Sequence, residues 1–124
     1  MTTRLQVGLI GYGLAGSVFH APLIQHTPGL ALHSIASSQR DRLLRSFTDV
    51  RICNQPAELF NDPALDAVVI ATPNAEHAPL AIAALQAGKH VLVDKPFALD
   101  LTEAEAVVRA AQDAERVVTV FQNR

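Results

Sequence analysis

A single cysteine, Cys53, stands among the 124 residues. No disulfide can form within the chain, so a reducing cytosol is the expected setting. Cys53 itself reads as a small, partly buried hydrophobe rather than a nucleophile. Charge is thin as well. Ten lysines and arginines against twelve acids leave a formal net charge of −2, with no basic stripe and no block of one sign. That pattern excludes nucleic acid and an anionic membrane surface as main partners. No apolar run is long enough to span a bilayer. Met1-Thr2-Thr3 leads almost at once into an apolar strand pattern, which leaves no room for a signal peptide. A soluble, cytoplasmic protein is the expectation. Aromatics make up only 5% of the chain although 49% of it is hydrophobic. Alanine, valine and leucine carry the apolar half, as suits helices laid over a parallel sheet. Internal repeats, low-complexity stretches and linkers are all missing. The length fits one domain and not a large two-domain enzyme.

What is present is organised around Val7-Gly8-Leu9-Ile10-Gly11-Tyr12-Gly13-Leu14-Ala15-Gly16. An apolar strand runs into three glycines spaced G-x-G-x-x-G and then into a helical pattern. Gly11 permits the tight turn, Gly13 lets backbone approach a pyrophosphate, and Gly16 lets the helix pack closely on the strand. The unpaired first-turn amides of such a helix, with its dipole, favour an anion. Spacing of this kind is weak evidence alone and needs a strand before it, a helix after it and repeated strand–helix units behind it. Gly8 is a cost, because glycine weakens a strand.

Those units follow in order. Arg4 to Ile10 reads as a buried first strand. The helix from Leu14 places Leu14, Ala15, Val18 and Phe19 on its core stripe, and Pro22 kinks or ends it near Phe19 to Ala21. Thr27-Pro28-Gly29 is a turn and Leu30 to Ala36 a second strand. Arg40 to Phe47 is a short helix, Val50 to Cys53 a short edge strand, and Pro56 to Phe60 a helical turn. Leu65 to Ala71 is the strongest strand signal, and it ends in Thr72-Pro73-Asn74, polar groups at the carboxyl end of a central strand, where ligands collect. Asn74 can cap the next helix, with Leu80, Ala81, Ala84 and Leu85 buried and Gly88 just past its end. His90 to Val93 is a fifth strand. Asp100-Leu101-Thr102-Glu103 resembles a capping box opening a helix with Ala104, Val107, Val108 and Ala111 inward. Val117 to Phe121 is the sixth strand. The predicted fold is α/β: a doubly wound parallel sheet of about six strands in the order 3-2-1-4-5-6.

The second strand bears on which dinucleotide is bound. The acid that usually holds the adenosine ribose is missing at its end, which reads Ser37-Ser38-Gln39-Arg40, with the first acid at Asp41. Small hydroxyls and a guanidinium suit a 2′-phosphate better than bare ribose, so NADP(H) is favoured over NAD(H), with NAD still open. The competing reading makes Ser38 a helix cap and leaves Arg40 and Arg42 solvated.

Taken together, Gly11-Tyr12-Gly13-Leu14-Ala15-Gly16 continuing to Phe19-His20-Ala21-Pro22, Ala71-Thr72-Pro73-Asn74 with His77, Ala87-Gly88-Lys89-His90-Val91, Asp94-Lys95-Pro96 and Phe121-Gln122-Asn123-Arg124 resemble the Gfo/Idh/MocA oxidoreductase family, in the branch similar to scyllo-inositol dehydrogenases. The resemblance covers essentially the whole chain. It implies an N-terminal Rossmann domain, here residues 1–124, that uses NAD(P) to move hydride to or from sugars, cyclitols and related polyols. By the same resemblance Gly11, Tyr12, Gly13, Leu14 and Ala15 line the pyrophosphate turn, and Ser37, Ser38 and Arg40 surround the adenosine ribose. Thr72, Pro73, Asn74 and His77 lie along the cofactor, Asp94, Lys95 and Pro96 stand beside the nicotinamide, and Gln122 and Asn123 approach it from the sixth strand. The family usually has Glu where Asp94 stands.

Lys95 is the expected catalytic residue, since an ammonium beside a hydroxyl being oxidised can stabilise developing negative charge and take part in proton transfer. A cis bond at Pro96 would aim it. His20 and His77 read as packing or capping residues, and no cluster has metal-ligand spacing. The family's remaining catalytic groups lie in a C-terminal substrate domain absent from this chain, so binding without turnover is expected. The open sixth strand would pair, making a homodimer the expected assembly. Two other readings stay open: a nucleotide-sensing regulator without catalysis, and an α/β domain for CoA or flavin.

Overall fold

The computed structural model describes residues 4–13, 20–95 and 97–121. Strands β1 (Leu5–Ile10), β2 (Leu30–Ala36), β3 (Arg51–Cys53), β4 (Ala67–Ile70), β5 (His90–Asp94) and β6 (Val118–Phe121) form one sheet in the order β3-β2-β1-β4-β5-β6. Every neighbouring pair is parallel. Helices α1 (Ala21–His26), α2 (Arg40–Ser46), α3 (Pro56–Phe60), α4 (His77–Gln86) and α5 (Leu101–Ala114) connect them. The doubly wound parallel architecture expected from the sequence is the one observed.

Alternate strand residues enter two separate cores. Ile10, Val68, Ile70, Val91 and Val93 pack with Ala81, Ala84 and Leu85 of α4 and Val107 of α5. Val7, Leu9, Ile35 and Val69 pack on the opposite face with Ile24 of α1 and Leu43 of α2. A sheet buried on both faces explains why β4 reads as a continuous apolar run rather than an alternating one.

Gly8 has its own explanation. A Cβ there would stand 2.7 Å from Leu59 Cδ2 and 3.0 Å from Leu65 Cδ1. The strand tolerates a glycine because two leucines fill the space of the missing side chain. The β1–β2 register shifts at the same place, between Val7 and Gly8.

Several local expectations change. Pro22 sits in the first turn of α1, where a missing N–H leaves no helical bond unmade, and the helix runs through it from Ala21 to His26; the helix from Leu14 that Pro22 is expected to kink or end lies outside the described residues. The predicted stripe Leu14, Ala15, Val18 and Phe19 lies outside the described residues, as does Gly16. Asn74 does not cap α4. It opens a short 3₁₀ turn, Asn74–Glu76, which runs into α4 without any side-chain cap. In α4 the predicted Ala81, Ala84 and Leu85 are buried with His77 and Ala78, whereas Leu80 is only partly covered. In α5, Val107 and Ala111 face inward, but Val108 is exposed and Ala110 takes the predicted third place. The Asp100 carboxylate accepts from Glu103 N at 2.8 Å as predicted, while Glu103 Oε1 reaches back to Leu99 N at 2.9 Å, one residue short of a reciprocal box. The reach-back arm is found instead at α3, where Glu58 Oε2 accepts from Gln55 N at 3.0 Å and from Asn54 N at 2.9 Å.

Candidate functional site

Strand order reverses between β1 and β4, and the connections leave the sheet there in opposite directions. A cleft of about 470 Å³ opens at this point, on the carboxyl side of the strands. Gly11, Tyr12 and Gly13 form one wall, Ser37, Ser38 and Gln39 the β2 end, and Thr72, Pro73 and Glu76 the β4 end. A hollow of similar size at the amino-terminal end of the strands, lined by Arg4, Gln6, Asp49 and Arg51 among others, contains no glycine turn. Ligands of open parallel sheets sit at the carboxyl end, at the switch point. The β1–β4 cleft is the candidate site.

Its glycines behave differently from one another. Gly11 has φ +94°, in the left-handed region, and a Cβ there would approach Ala71 O to 2.6 Å. Its N–H donates to Ala36 O at 2.9 Å, so β1 turns away hard against the ends of both flanking strands. Gly13 is the reverse case, for a Cβ there would meet nothing within 4 Å among the described residues. No described residue calls for a glycine at 13, and a ligand lying close against the backbone would.

At the β2 end, Ser37 N donates to Cys53 O at 3.0 Å, and Ser37 Oγ accepts from Gln39 N at 3.1 Å. Gln39, rather than Ser38, is the residue before α2, and it makes no side-chain cap. Its amide Nε2 donates to Tyr12 O at 3.1 Å, which ties the glycine turn to α2. Arg40 Nη1 donates to Ile52 O at 3.0 Å, so this guanidinium is bound to the backbone of β3. Arg42 lies over the Tyr12 ring, 5.1 Å from its centroid.

At the β4 end, Thr72 Oγ1 is buried and makes no hydrogen bond within the described residues, a polar atom awaiting a partner. His77 is almost wholly buried, and its Nε2 lies 2.8 Å from Thr72 O. Donation from that nitrogen pins the Thr72–Asn74 segment from behind, and His77 lines the loop's back rather than the cleft. Lys89, also buried, donates from Nζ to Asp62 O at 2.6 Å and Leu65 O at 3.1 Å, fixing the chain that leads into β4.

Asp94 ends β5, with His20 Nε2 3.4 Å from its Oδ1, and the exposed Lys95 follows it. Burial lowers the pKa of His20 from its ordinary value, and attraction to Asp94 pulls the other way. Cys53 is buried, which pushes its thiol pKa up, so it does not present a thiolate. Leu14, Ala15, Pro96, Gln122 and Asn123, also predicted for the site, lie outside the described residues. Among the described residues no group of His, Cys, Asp and Glu is placed to hold a metal ion, and no helix is long and apolar enough to cross a membrane.

Sequence reasoning passed over Asn54 and Pro56, which line the cleft beyond β3, and Glu76. The signal for the first two was available: they follow a parallel strand at its carboxyl end, as Ser37 and Thr72 do. The residues that are described fit a dinucleotide. The turn carries no side chain at Gly13, a buried hydroxyl at Thr72 makes no hydrogen bond within the described residues, and two arginines follow β2.

Comparison with known proteins agrees. The sequence profile of an oxidoreductase family with an NAD-binding Rossmann fold, Gfo/Idh/MocA, matches residues 5–122. The uncharacterized oxidoreductase YdgJ of Escherichia coli is 49% identical over 124 residues, which cover 100% of this chain and 36% of YdgJ. The Bacillus subtilis scyllo-inositol 2-dehydrogenase (NADP(+)) IolW is 37% identical over 120 residues, covering 97% of this chain and 34% of IolW. A scyllo-inositol 2-dehydrogenase (NAD(+)) of the same organism is 29% identical, covering 86% of this chain and 32% of its own length. A solved structure from Klebsiella pneumoniae superposes with a TM-score of 0.93 at 48% identity, over 98% of this chain and 35% of that one. The chain thus spans about a third of the length of the curated relatives it matches. With that profile matching nearly its whole length, this chain belongs to the Gfo/Idh/MocA family of oxidoreductases, in its nicotinamide-dinucleotide-binding Rossmann domain.

Proposed function

We propose that the chain is the cofactor-binding part of an NADP(H)-dependent dehydrogenase acting on a cyclitol, sugar or related polyol. The observation that carries the reading is the cleft between β1 and β4, with room beside Gly13 that no described side chain fills and two arginines following the hydroxyls of β2. The likeness to IolW supports both the NADP(H) preference and the substrate class.

In this reading Gly11, Tyr12 and Gly13, with Leu14 and Ala15, cradle the pyrophosphate. Ser37 and Ser38 accompany the adenosine ribose, with a guanidinium from Arg40 or its neighbourhood on the 2′-phosphate. Thr72, Pro73 and Asn74 lie along the dinucleotide, and His77 holds that segment in place. The nicotinamide supplies the hydride acceptor or donor. Lys95, with Asp94 and Pro96 beside it and Gln122 and Asn123 nearby, holds the reacting hydroxyl and stabilises its developing negative charge. A substrate-holding domain is needed to bring polyol and nicotinamide into register, so the 124 residues bind cofactor without turnover. Pairing of two copies through the β6 edge, which has no neighbouring strand among the described residues, belongs to the same reading.

Calorimetric titration of the chain with NADPH and NADH tests it. At least tenfold tighter binding of NADPH, about 1.4 kcal/mol, is expected. Equal affinities would remove the NADP(H) preference, and failure of both to bind would remove the dehydrogenase reading. If the chain joined to a substrate domain binds NADPH but oxidises no member of a broad polyol panel, a nucleotide sensor is the better description.

A further inference from the structure

We propose that Arg42, held on the face of Tyr12 by Gln39, is the residue that discriminates NADP(H) from NAD(H). Arg40 serves instead to fasten α2 to β3. The inference rests on the NADP(H) reading above and assigns its determinant.

The two guanidiniums are only two residues apart, and their surroundings differ. Arg40 Nη1 is spent on the carbonyl of Ile52, inside β3. Turning the group toward a ligand would break that bond and leave a strand carbonyl without its partner. Among the described residues Arg42 meets no backbone carbonyl in this way. Its Cζ lies 5.1 Å from the centroid of the Tyr12 ring, and its Nη1 donates to Gln39 Oε1 at 2.8 Å. The same Gln39 amide donates from Nε2 to Tyr12 O at 3.1 Å, and its backbone N–H donates to Ser37 Oγ at 3.1 Å. One glutamine therefore connects the glycine turn, the hydroxyl at the end of β2 and the guanidinium.

The platform under Arg42 is rigid. Tyr12 is buried, and Phe47 packs edge-on against its ring at 5.8 Å with an interplanar angle of 81°. A guanidinium lying on an aromatic face keeps its in-plane N–H donors for an anion, and one bond to Gln39 leaves most of them available. Tyr12, Ser37, Ser38 and Gln39 all line the cleft. In dinucleotide folds the 2′ position of the adenosine ribose comes to the end of β2, where Ser37 and Ser38 stand. A doubly charged phosphate there meets serine hydroxyls and a stacked, pre-oriented fork, whereas a bare 2′-hydroxyl gains little from the guanidinium. Arginine suits this task better than lysine because its planar fork can both stack and bind phosphate bidentately.

The test measures dissociation constants for NADPH and NADH on the 124-residue chain and its variants Arg42→Ala, Arg42→Lys and Arg40→Ala, with a thermal melt of each. Arg42 is exposed, so Arg42→Ala should melt like the parent. It should weaken NADPH roughly ten- to a hundredfold, the size of lost charge-assisted hydrogen bonds, with NADH changed less than about threefold. Arg42→Lys should recover only a minor part of the NADPH affinity. Arg40→Ala should lower the melting temperature and keep the NADPH-to-NADH ratio. If Arg40→Ala collapses that ratio while Arg42→Ala preserves it, the assignment is overturned and the NADP(H) reading stands. If the unaltered chain binds both dinucleotides equally, the NADP(H) reading falls and takes the assignment with it.

Discussion

The imidazole Nε2 of His20 stands 3.4 Å from Oδ1 of Asp94, and Phe121 packs edge-on against the same ring at 4.8 Å. The pair joins the start of α1 to the carboxyl end of β5, one residue before Lys95. Its geometry is a close approach rather than a well-directed hydrogen bond, since Nε2 is buried without a properly aligned acceptor. Burial lowers the pKa of His20, and attraction to Asp94 recovers part of that loss.

A pH dependence follows from that direction. The unfolded chain takes up the His20 proton near its ordinary value of 6.5, and the folded chain resists it until lower pH. Between those two values the unfolded state binds more protons, so stability falls as pH drops below about 6.5. Urea unfolding of the chain and of His20→Gln at pH 7.5, 6.5 and 5.5 checks the point. The variant should lose part of the slope that the unaltered chain shows, and an identical slope in both would assign the dependence to other groups.

Two glycines of the first strand and its turn should fail for different reasons. Gly11→Ala combines a positive φ with an approach of 2.6 Å to the Ala71 carbonyl, which is backbone and cannot step aside. A loss of more than about 2 kcal/mol is expected, and nucleotide binding should disappear with the fold. Gly8→Ala meets only the ends of the Leu59 and Leu65 side chains. It should cost about 1–3 kcal/mol by overpacking, and the molecules that remain folded should bind NADPH as before. Chemical unfolding combined with titration separates the two.

The start of α5 offers a smaller, local test. Asp100→Ala removes the carboxylate that accepts from Glu103 N and should cost about 1 kcal/mol. Glu103→Ala should cost less, because its exposed carboxylate reaches only Leu99 N. Neither change lies near the cleft, so dinucleotide affinity should be unaffected in both.

Much of this architecture was legible from residue pattern alone, for a physical reason. Both faces of the sheet are covered, so β2 and β4 stand out as apolar segments closed by turn residues, and Leu30–Ala36 emerges with the predicted ends. The glycine turn was legible because Gly11 answers to backbone geometry that few other residues satisfy. What pattern could not supply was competition between equivalent neighbours. Val108 and Ala110 both fall near the inward stripe of α5, and only packing against α4 turns one in and leaves the other in solvent. Asn74 has the chemistry of a cap, but the chain after Pro73 enters a 3₁₀ turn before α4 begins. Arg40 and Arg42 look alike in sequence, and the carbonyl of Ile52 and the ring of Tyr12 distinguish them only after the strands are assembled. The reach of Glu58 back to Gln55 N gave little warning, because glutamine is an unusual residue before a helix.

The central claim is that bare backbone at the end of β1 receives the diphosphate of a nicotinamide dinucleotide. Gly13→Val tests it most directly, because a Cβ there meets no described residue within 4 Å and the position does not need a positive φ. The variant should melt within a few degrees of the unaltered chain and bind NADPH at least ten times more weakly by calorimetry. Unchanged NADPH affinity in a folded Gly13→Val chain would contradict the account.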